Sequence, residues 1–192
     1  PYYNKPTQDG LFCHYREIAS SVPIPMIVYN VPGRTGVNVA PETVERLCTL
    51  QSVVGVKEAS GDVVQISEIH RRCGDRLAIL SGDDALTLPI LACGGSGVIS
   101  VIANIIPDRF NAMVSAFMAG RHRDALRFHE EILPLANAMF IETNPIPVKT
   151  AMDWLGCAAG PLRLPLSAMN EGNKQKLISV LEKAGLKPRE RA

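Results

Sequence analysis

The sequence lacks a basic block, a cysteine cluster and a long apolar run. Its 192 residues carry a formal net charge of +1, whereas nucleic acid and acidic lipid surfaces attract a concentrated basic face. No apolar stretch is long enough to span a bilayer, and no secretory signal pattern is seen. We therefore expect a cytoplasmic protein that has neither nucleic acid nor a membrane as its partner.

Cysteine is present, but without the spacing that would give it a structural role. The five cysteines lie far apart and include no C-x-x-C pair, so neither a disulfide framework nor a zinc site is indicated. Reduced thiols are the simpler expectation, and we predict no metal. The chain also begins with Pro1 and not with Met, so we consider that it is part of a longer protein.

Short apolar runs alternate with helical patterns through the first half of the chain. Such alternation with short turns is typical of a parallel α/β sheet, whose crossover helices cover the strands. From Pro107 onward the apolar spacing is helical only. The predicted strands are Met26–Asn30, Val53–Lys57, Leu77–Ser81 and Gly97–Val101. Four helices are predicted among them: the first covers residues 11–20, the second starts at Pro41, the third is capped by Asp62, and the fourth is capped by Asp83 or Asp84 and runs to Cys93.

Polar residues follow each predicted strand, although the strands themselves are apolar. In parallel α/β folds ligands bind at the carboxyl ends of the strands, so these residues form the candidate site. They are Tyr29–Asn30, Lys57–Glu58, Ser81–Asp84 and Ser100–Asn104.

Lys57 is the strongest candidate because it ends a buried strand. An ammonium group there is poorly solvated, so its pKa falls, and the neutral amine can attack a carbonyl to form a Schiff base. From spacing alone, an ion pair with Glu58 or an aspartate, or a side chain that reaches solvent, is the commoner outcome. The residues by themselves leave these alternatives open.

Two further residues suit the same chemistry. Tyr29 ends the neighbouring strand, where its phenol could exchange protons with a group on Lys57. Arg34 follows in the next loop and offers a planar fork for a substrate carboxylate. A tyrosine ring packed at the sheet edge and a solvated loop arginine are the alternatives for these two positions.

Six longer motifs stand out in the chain: Pro1–Pro6, Tyr29–Gly36, Gly55–Ala59, Ser81–Asp84, Gly94–Val101 and Asn144–Lys149. Together and in this order they resemble the dihydrodipicolinate synthase family, which uses pyruvate in class I aldolase chemistry. The resemblance covers essentially the whole chain and implies an α/β fold: the C-terminal half of a (β/α)8 TIM barrel over residues 1–120, then a small all-helical domain over residues 121–192.

The resemblance implies a reaction and a role for each catalytic residue. Pyruvate would condense with aspartate semialdehyde on the route to lysine, with pyruvate bound covalently as substrate and no separate cofactor. Lys57 would form the Schiff base, Tyr29 would relay protons, and Tyr3 would complete the relay across a subunit interface. Arg34 would receive the semialdehyde carboxylate.

The resemblance also implies binding residues and an assembly. Ile99 would line the pyruvate pocket through its backbone carbonyl, and we add Gly82, at the end of the third strand, to the substrate-binding residues. Tyr2 would lie near the lysine-feedback site that some members carry. A homo-oligomer, tetramer or dimer, is expected.

The N-terminal half of the family's barrel is absent from this chain, and with it the threonine pair that joins the two tyrosines. A half barrel exposes strand edges and a core face, which favours pairing with another chain. Two other functions therefore stay open. One is a sister pyruvate aldolase, such as N-acetylneuraminate lyase or a keto-deoxy sugar acid aldolase, and the other is a non-catalytic fragment that assembles with a partner.

Overall fold

The computed structural model describes residues 1–188. They divide into two compact units, Pro1–Ile99 and a second that begins at Ser100. The first unit is a parallel sheet with helices, which confirms the α/β class, and the second is built from helices. A domain boundary at residue 120 stays a prediction.

The sheet of the first unit has four strands in chain order, and every neighbouring pair is parallel. The first strand has the predicted bounds. The fourth is shorter than predicted, since pairing stops at Val98 and only the N–H of Ile99 still bonds to Ser81 O, at 2.9 Å. Pairing stops there because the third strand ends at Ser81, so it offers no further residue to pair with the fourth strand. The strands are β1 (Met26–Asn30), β2 (Val53–Glu58), β3 (Ala78–Ser81) and β4 (Gly97–Val98).

Five helices belong to this unit, together with a 3-10 turn at Gly74–Arg76. The first begins earlier than predicted because the Thr7 side chain accepts the N–H of Gly10 and caps it at Gln8. Asp62 caps the fourth helix as predicted. The helices are α1 (Gln8–Ser21), α2 (Pro32–Thr35), α3 (Pro41–Leu47), α4 (Val63–Cys73) and α5 (Thr87–Ala92).

The predicted cap of the fifth helix is wrong. Asp83 accepts the N–H groups of Ala85 and Leu86, so it stabilises the turn that precedes α5. The helix itself begins only at Thr87, two residues before Pro89. A proline is tolerated there because first-turn N–H groups have no partner within the helix.

The core of the first unit lies between the sheet and its helices. Val28, Val56 and Ile79 occupy equivalent rungs of β1, β2 and β3 and are at most 1% exposed. They pack in one cluster with Ile66 and Ile69 of α4. Full burial of an aliphatic side chain is worth roughly 1.5–3 kcal/mol, so this layer holds the sheet to its helices.

The residues that alternate with this layer point to the other face of the sheet. Ile27 and Tyr29 lie there and are 47% and 41% exposed. The sheet is therefore covered on one side and open on the other within the first unit.

The second unit contains a 3-10 turn at Ile102–Asn104 and four helices. Helix α6 packs on α7, and α9 packs on both α7 and α8. Pro134 lies inside α7, which continues through it to Ala138. The helices are α6 (Pro107–Met118), α7 (His122–Ala138), α8 (Ile146–Trp154) and α9 (Glu171–Lys183).

The five cysteines are all free thiols. In the described part of the chain, no helix combines the length and the apolarity that crossing a membrane requires.

Candidate active site

Tyr29 and Lys57 form one rung at the carboxyl end of the sheet. They are direct partners in the parallel register of β1 and β2, so their side chains emerge on the same, open face. The Lys57 Nζ atom lies 4.1 Å from the centre of the Tyr29 ring. The structure thus brings the predicted nucleophile and the predicted proton relay into contact.

Gly82 supplies the space that the Lys57 side chain occupies. A Cβ atom at position 82 would lie 3.1 Å from Lys57 Cε and 2.9 Å from the Ala59 Cβ. The N–H of Gly82 bonds to the carbonyl oxygen of Glu58 at 2.8 Å, which fixes this close approach. A residue with a side chain would therefore crowd the lysine stem.

The surroundings of Lys57 make its ammonium group lose a proton more readily than that of an ordinary lysine. Desolvation by burial is the main cause that lowers the pKa of Lys57. The negative charge of Asp84 acts in the opposite direction, and the positive charge of Arg34 lowers the pKa further. The net effect is a pKa below that of an ordinary lysine, as a Schiff-base nucleophile requires.

Glu58 does not pair with Lys57, and that alternative is wrong. Successive residues of a strand point to opposite faces, so the Glu58 side chain lies on the helix-covered side. There it is fully buried, at 0% exposure, and its carboxylate accepts hydrogen bonds from the Asn30 side chain at 3.1 and 3.0 Å.

Arg34 lies in α2, directly after β1. Gly36 ends this short helix in a left-handed conformation, with its N–H bonded to Pro32 O. The Thr35 hydroxyl donates to Val37 O, at 2.9 Å, and also lies 3.2 Å from Val31 O, so it folds the segment back on itself. The arginine is close enough to Lys57 to influence its pKa, so a cation suited to a carboxylate lies near this lysine.

Ile99, Tyr2 and Tyr3 are the remaining predicted site residues. Ile99 follows β4 and is 42% exposed, with its N–H held by Ser81 O. Tyr2 and Tyr3 precede α1 and are 73% and 84% exposed. None of the contacts in residues 1–188 joins the Tyr3 side chain to Lys57.

Sequence reasoning missed two features. The sequence predicts Asp84 within the candidate site but with a helix-capping role, whereas its charge acts on Lys57. It predicts Asn30 and Glu58 at strand ends, with Glu58 as a possible ion-pair partner of Lys57, whereas the structure buries both behind the sheet. The strict alternation of strand side chains could have separated them from Tyr29 and Lys57.

No group of three or more histidine, cysteine, aspartate or glutamate side chains within the described residues is arranged to hold a metal ion. Together, the Tyr29–Lys57 rung and Arg34 offer an amine of lowered pKa, an adjacent phenol and a nearby guanidinium. These are the groups needed to attack a ketone, move protons and hold a carboxylate.

The chain matches known proteins over nearly its full length. Residues 1–184 match the dihydrodipicolinate synthetase family. A 4-hydroxy-tetrahydrodipicolinate synthase of Geotalea daltonii is 53% identical over 182 residues, which are 95% of this chain and 63% of that protein. The chain thus spans less than two thirds of the length of this relative.

Solved structures agree with this match. A dihydrodipicolinate synthase of Cyanidioschyzon merolae, crystallised with lysine bound, is 43% identical with a TM-score of 0.94 over 97% of this chain and 63% of that one. The chloride-inhibited enzyme of Acinetobacter baumannii, in complex with pyruvate, is 40% identical with a TM-score of 0.93 over 97% of this chain and 64% of its own. Sequence and fold therefore agree that the chain belongs to the dihydrodipicolinate synthetase family.

Proposed function

We propose that the protein to which this chain belongs condenses pyruvate with L-aspartate 4-semialdehyde through a Schiff base on Lys57. The observation that carries the proposal is the Tyr29–Lys57 rung, in which a lysine of lowered pKa lies 4.1 Å from a tyrosine ring. The relative from Geotalea daltonii bears the name of this synthase, and the Acinetobacter baumannii structure is described as a complex with pyruvate.

The reaction begins when the neutral Lys57 amine attacks the ketone carbon of pyruvate. A carbon–nitrogen bond forms, the ketone oxygen leaves as water, and Tyr29 carries protons to and from that oxygen. The iminium then loses a methyl proton, and the resulting enamine carbon attacks the aldehyde carbon of the second substrate. Displacement of Lys57 by water or by the product's own amine releases the product and restores the lysine.

The remaining site residues bind substrate. Arg34 would hold the carboxylate of the semialdehyde, since a guanidinium matches a carboxylate in a planar pair. Ile99 and Gly82 would line the pyruvate pocket, Gly82 by leaving room beside the lysine stem. No separate cofactor or metal is needed for this chemistry, because pyruvate is activated by its own imine.

The assembly is part of the same proposal. We propose that the sheet is the C-terminal half of a TIM barrel, followed by a helical domain, within a cytoplasmic homo-oligomer, tetramer or dimer. Tyr3, 84% exposed, would contact a neighbouring subunit, and Tyr2 would lie near a lysine-feedback site. The Cyanidioschyzon merolae structure is described with lysine bound, which supports a feedback site in this family.

The direct test traps the imine. Full-length protein is incubated with pyruvate and borohydride, which reduces the Schiff base to a stable secondary amine, and its peptides are analysed by mass spectrometry. We expect a pyruvyl adduct on Lys57 and none in Lys57→Ala. Lys149, which donates to Pro161 O at 2.8 Å, is the matched control, so Lys149→Ala should keep the adduct. An unmodified Lys57 would refute the proposal.

A second measurement identifies the aldehyde. Arg34→Ala should keep the pyruvate adduct and lose mainly the use of aspartate semialdehyde, because the arginine is assigned to the carboxylate of that substrate. Equal loss of both steps would count against this assignment. Faster turnover with sugar-derived aldehydes than with the semialdehyde would favour a sister aldolase.

A further inference from the structure

A cluster of amide and carboxylate side chains lies behind the Tyr29–Lys57 rung, on the helix-covered side of the sheet. Its central members are Asn30 and Glu58, which are 1% and 0% exposed. They pair in register one residue beyond the rung. The amide–carboxylate cluster, as we name it, consists of Asn30, Asn38, Glu58 and Gln65.

The side chain of Asn30 uses both its NH2 group and its carbonyl oxygen in hydrogen bonds. Its Nδ2 donates to both carboxylate oxygens of Glu58, at 3.1 and 3.0 Å, and to Asn38 Oδ1 at 2.8 Å. Its Oδ1 accepts the backbone N–H of Val39 at 3.0 Å. A residue of different shape or different donors could not reproduce this set.

Glu58 is a buried acid, and within residues 1–188 its carboxylate accepts hydrogen bonds from amide N–H groups of side chains and backbone. Besides Asn30, its carboxylate accepts the backbone N–H of Ser60 at 2.7 Å and the Gln65 Nε2 at 3.5 Å. Burial of an acid without a cationic partner is costly, and an apolar residue of similar size would serve packing equally well. The carboxylate therefore calls for an explanation other than packing.

The cluster connects the two strands with the segment 31–37, which includes α2 and Arg34 and which we call the Arg34 loop. The N–H of Ala59 bonds to Asn30 O at 2.9 Å and continues the ladder past the rung. Asn38 lies beyond the Arg34 loop, and its side chain forms reciprocal hydrogen bonds with Gln65, at 2.6 and 3.2 Å. Strand ends and loop are thus joined through one set of hydrogen bonds.

We propose that the amide–carboxylate cluster positions Lys57 and Tyr29 for imine formation and holds the loop of Arg34 in place for the second substrate. The cluster contacts no reacting atom and acts through the backbone of adjacent residues. The proposal rests on the function proposed above, and it adds that the buried acid behind the sheet sets the geometry of the site in front of it.

The first test is Glu58→Gln, which keeps the size of the side chain. The substitution brings an NH2 group into a site whose neighbours are donors, so the strand ends lose their close register. Displacement of catalytic groups by about 1 Å costs on the order of a hundredfold in rate. We expect pyruvate imine formation to slow by roughly 10- to 100-fold on this basis.

The second test is rescue by an exchange of donor and acceptor. The double variant Asn30→Asp with Glu58→Gln places the carboxylate on β1 and the amide on β2. The terminal amide groups of Asn38 and Gln65 can turn over, which exchanges their donor and acceptor atoms to match the new arrangement. We expect the double variant to recover most of the lost rate, although each single substitution is damaging. Strong non-additivity of this kind identifies a direct pair.

A milder variant keeps the test decisive if the buried substitutions fold poorly. Asn38→Ala removes the side-chain hydrogen bonds of Asn38 to Asn30 and Gln65, whereas the bond from the Val39 N–H to Asn30 Oδ1 remains. We expect a several-fold higher KM for the semialdehyde and a smaller loss in the rate of imine formation. A merely structural role would not produce this split between the two substrates.

The control for stability is Ile69→Ala, which opens a cavity under α4 at a residue that is 0% exposed and outside the cluster. All variants are assayed below their unfolding temperatures. Equal losses in Ile69→Ala and Glu58→Gln, or wild-type rates in Glu58→Gln, would overturn the positioning role. A wild-type protein that gives no adduct on Lys57 would instead refute the proposed function.

Discussion

The Lys57 Nζ atom lies 4.1 Å from the centre of the Tyr29 ring, on neighbouring parallel strands that pair these two residues directly. A cation above an aromatic ring is attracted by the ring's quadrupole. Both groups can therefore remain together before any substrate arrives. The tyrosine ring then stays beside the amine that attacks pyruvate in the proposed mechanism.

The substitution Tyr29→Phe keeps the aromatic ring and removes the hydroxyl group, so it distinguishes the contributions of the two. The ring contact with Lys57 survives, so we expect borohydride to trap some pyruvate adduct, but loss of the proton relay should lower kcat by roughly 10²- to 10⁴-fold. Steady-state kinetics and single-turnover trapping measure the two effects. Tyr15→Phe, on α1, is the matched control, and an equal loss there would contradict the role of Tyr29.

The rate of imine formation should rise with pH and level off below 10.5, the ordinary pKa of lysine, because burial lowers the pKa of Lys57. Arg34→Ala removes a charge that lowers this pKa, so the midpoint should move to higher pH. Asp84→Asn removes a charge that raises it, so the midpoint should move to lower pH. The rate at which borohydride traps the pyruvate adduct, measured over a range of pH, tests both directions. If the midpoints of the two variants moved in the same direction, the charges assigned to Arg34 and Asp84 would be contradicted.

Lys57→Met should stabilise the folded protein at neutral pH. The folded state binds the Lys57 proton less tightly than the unfolded state, so protonation at neutral pH costs stability, and that cost is lost as pH rises towards 10.5. The gain in the free energy of unfolding should therefore shrink with rising pH. Urea unfolding at several pH values measures it, and a gain that is constant with pH would indicate packing as the cause.

Gly82→Ala should damage the site through crowding. The new Cβ would lie 2.9 Å from the Ala59 Cβ, 3.1 Å from Lys57 Cε and 3.2 Å from Glu58 O. Overpacking of this kind costs roughly 1–3 kcal/mol of stability and should also displace the lysine stem. We expect slower imine formation and a lower unfolding temperature. Gly33→Ala, where a Cβ meets nothing within 4 Å, should change neither.

Much of the first unit follows from local sequence. The run Met26–Asn30 forms a strand with the predicted bounds, and Asp62 caps α4, because β-favouring side chains and capping oxygens act over a few residues. The end of β4 could not be predicted in this way. It depends on where the neighbouring β3 stops offering hydrogen-bond partners.

The candidate site divides in the same manner. The sequence by itself determined that a lysine and a tyrosine end neighbouring apolar strands, and the resemblance assigned them roles. Only the tertiary structure decided that Tyr29 and Lys57 share a rung while Glu58 turns away to Asn30. The physical reason is that register and facing depend on hydrogen bonds between strands that are distant in the chain, and these bonds form only when the sheet assembles.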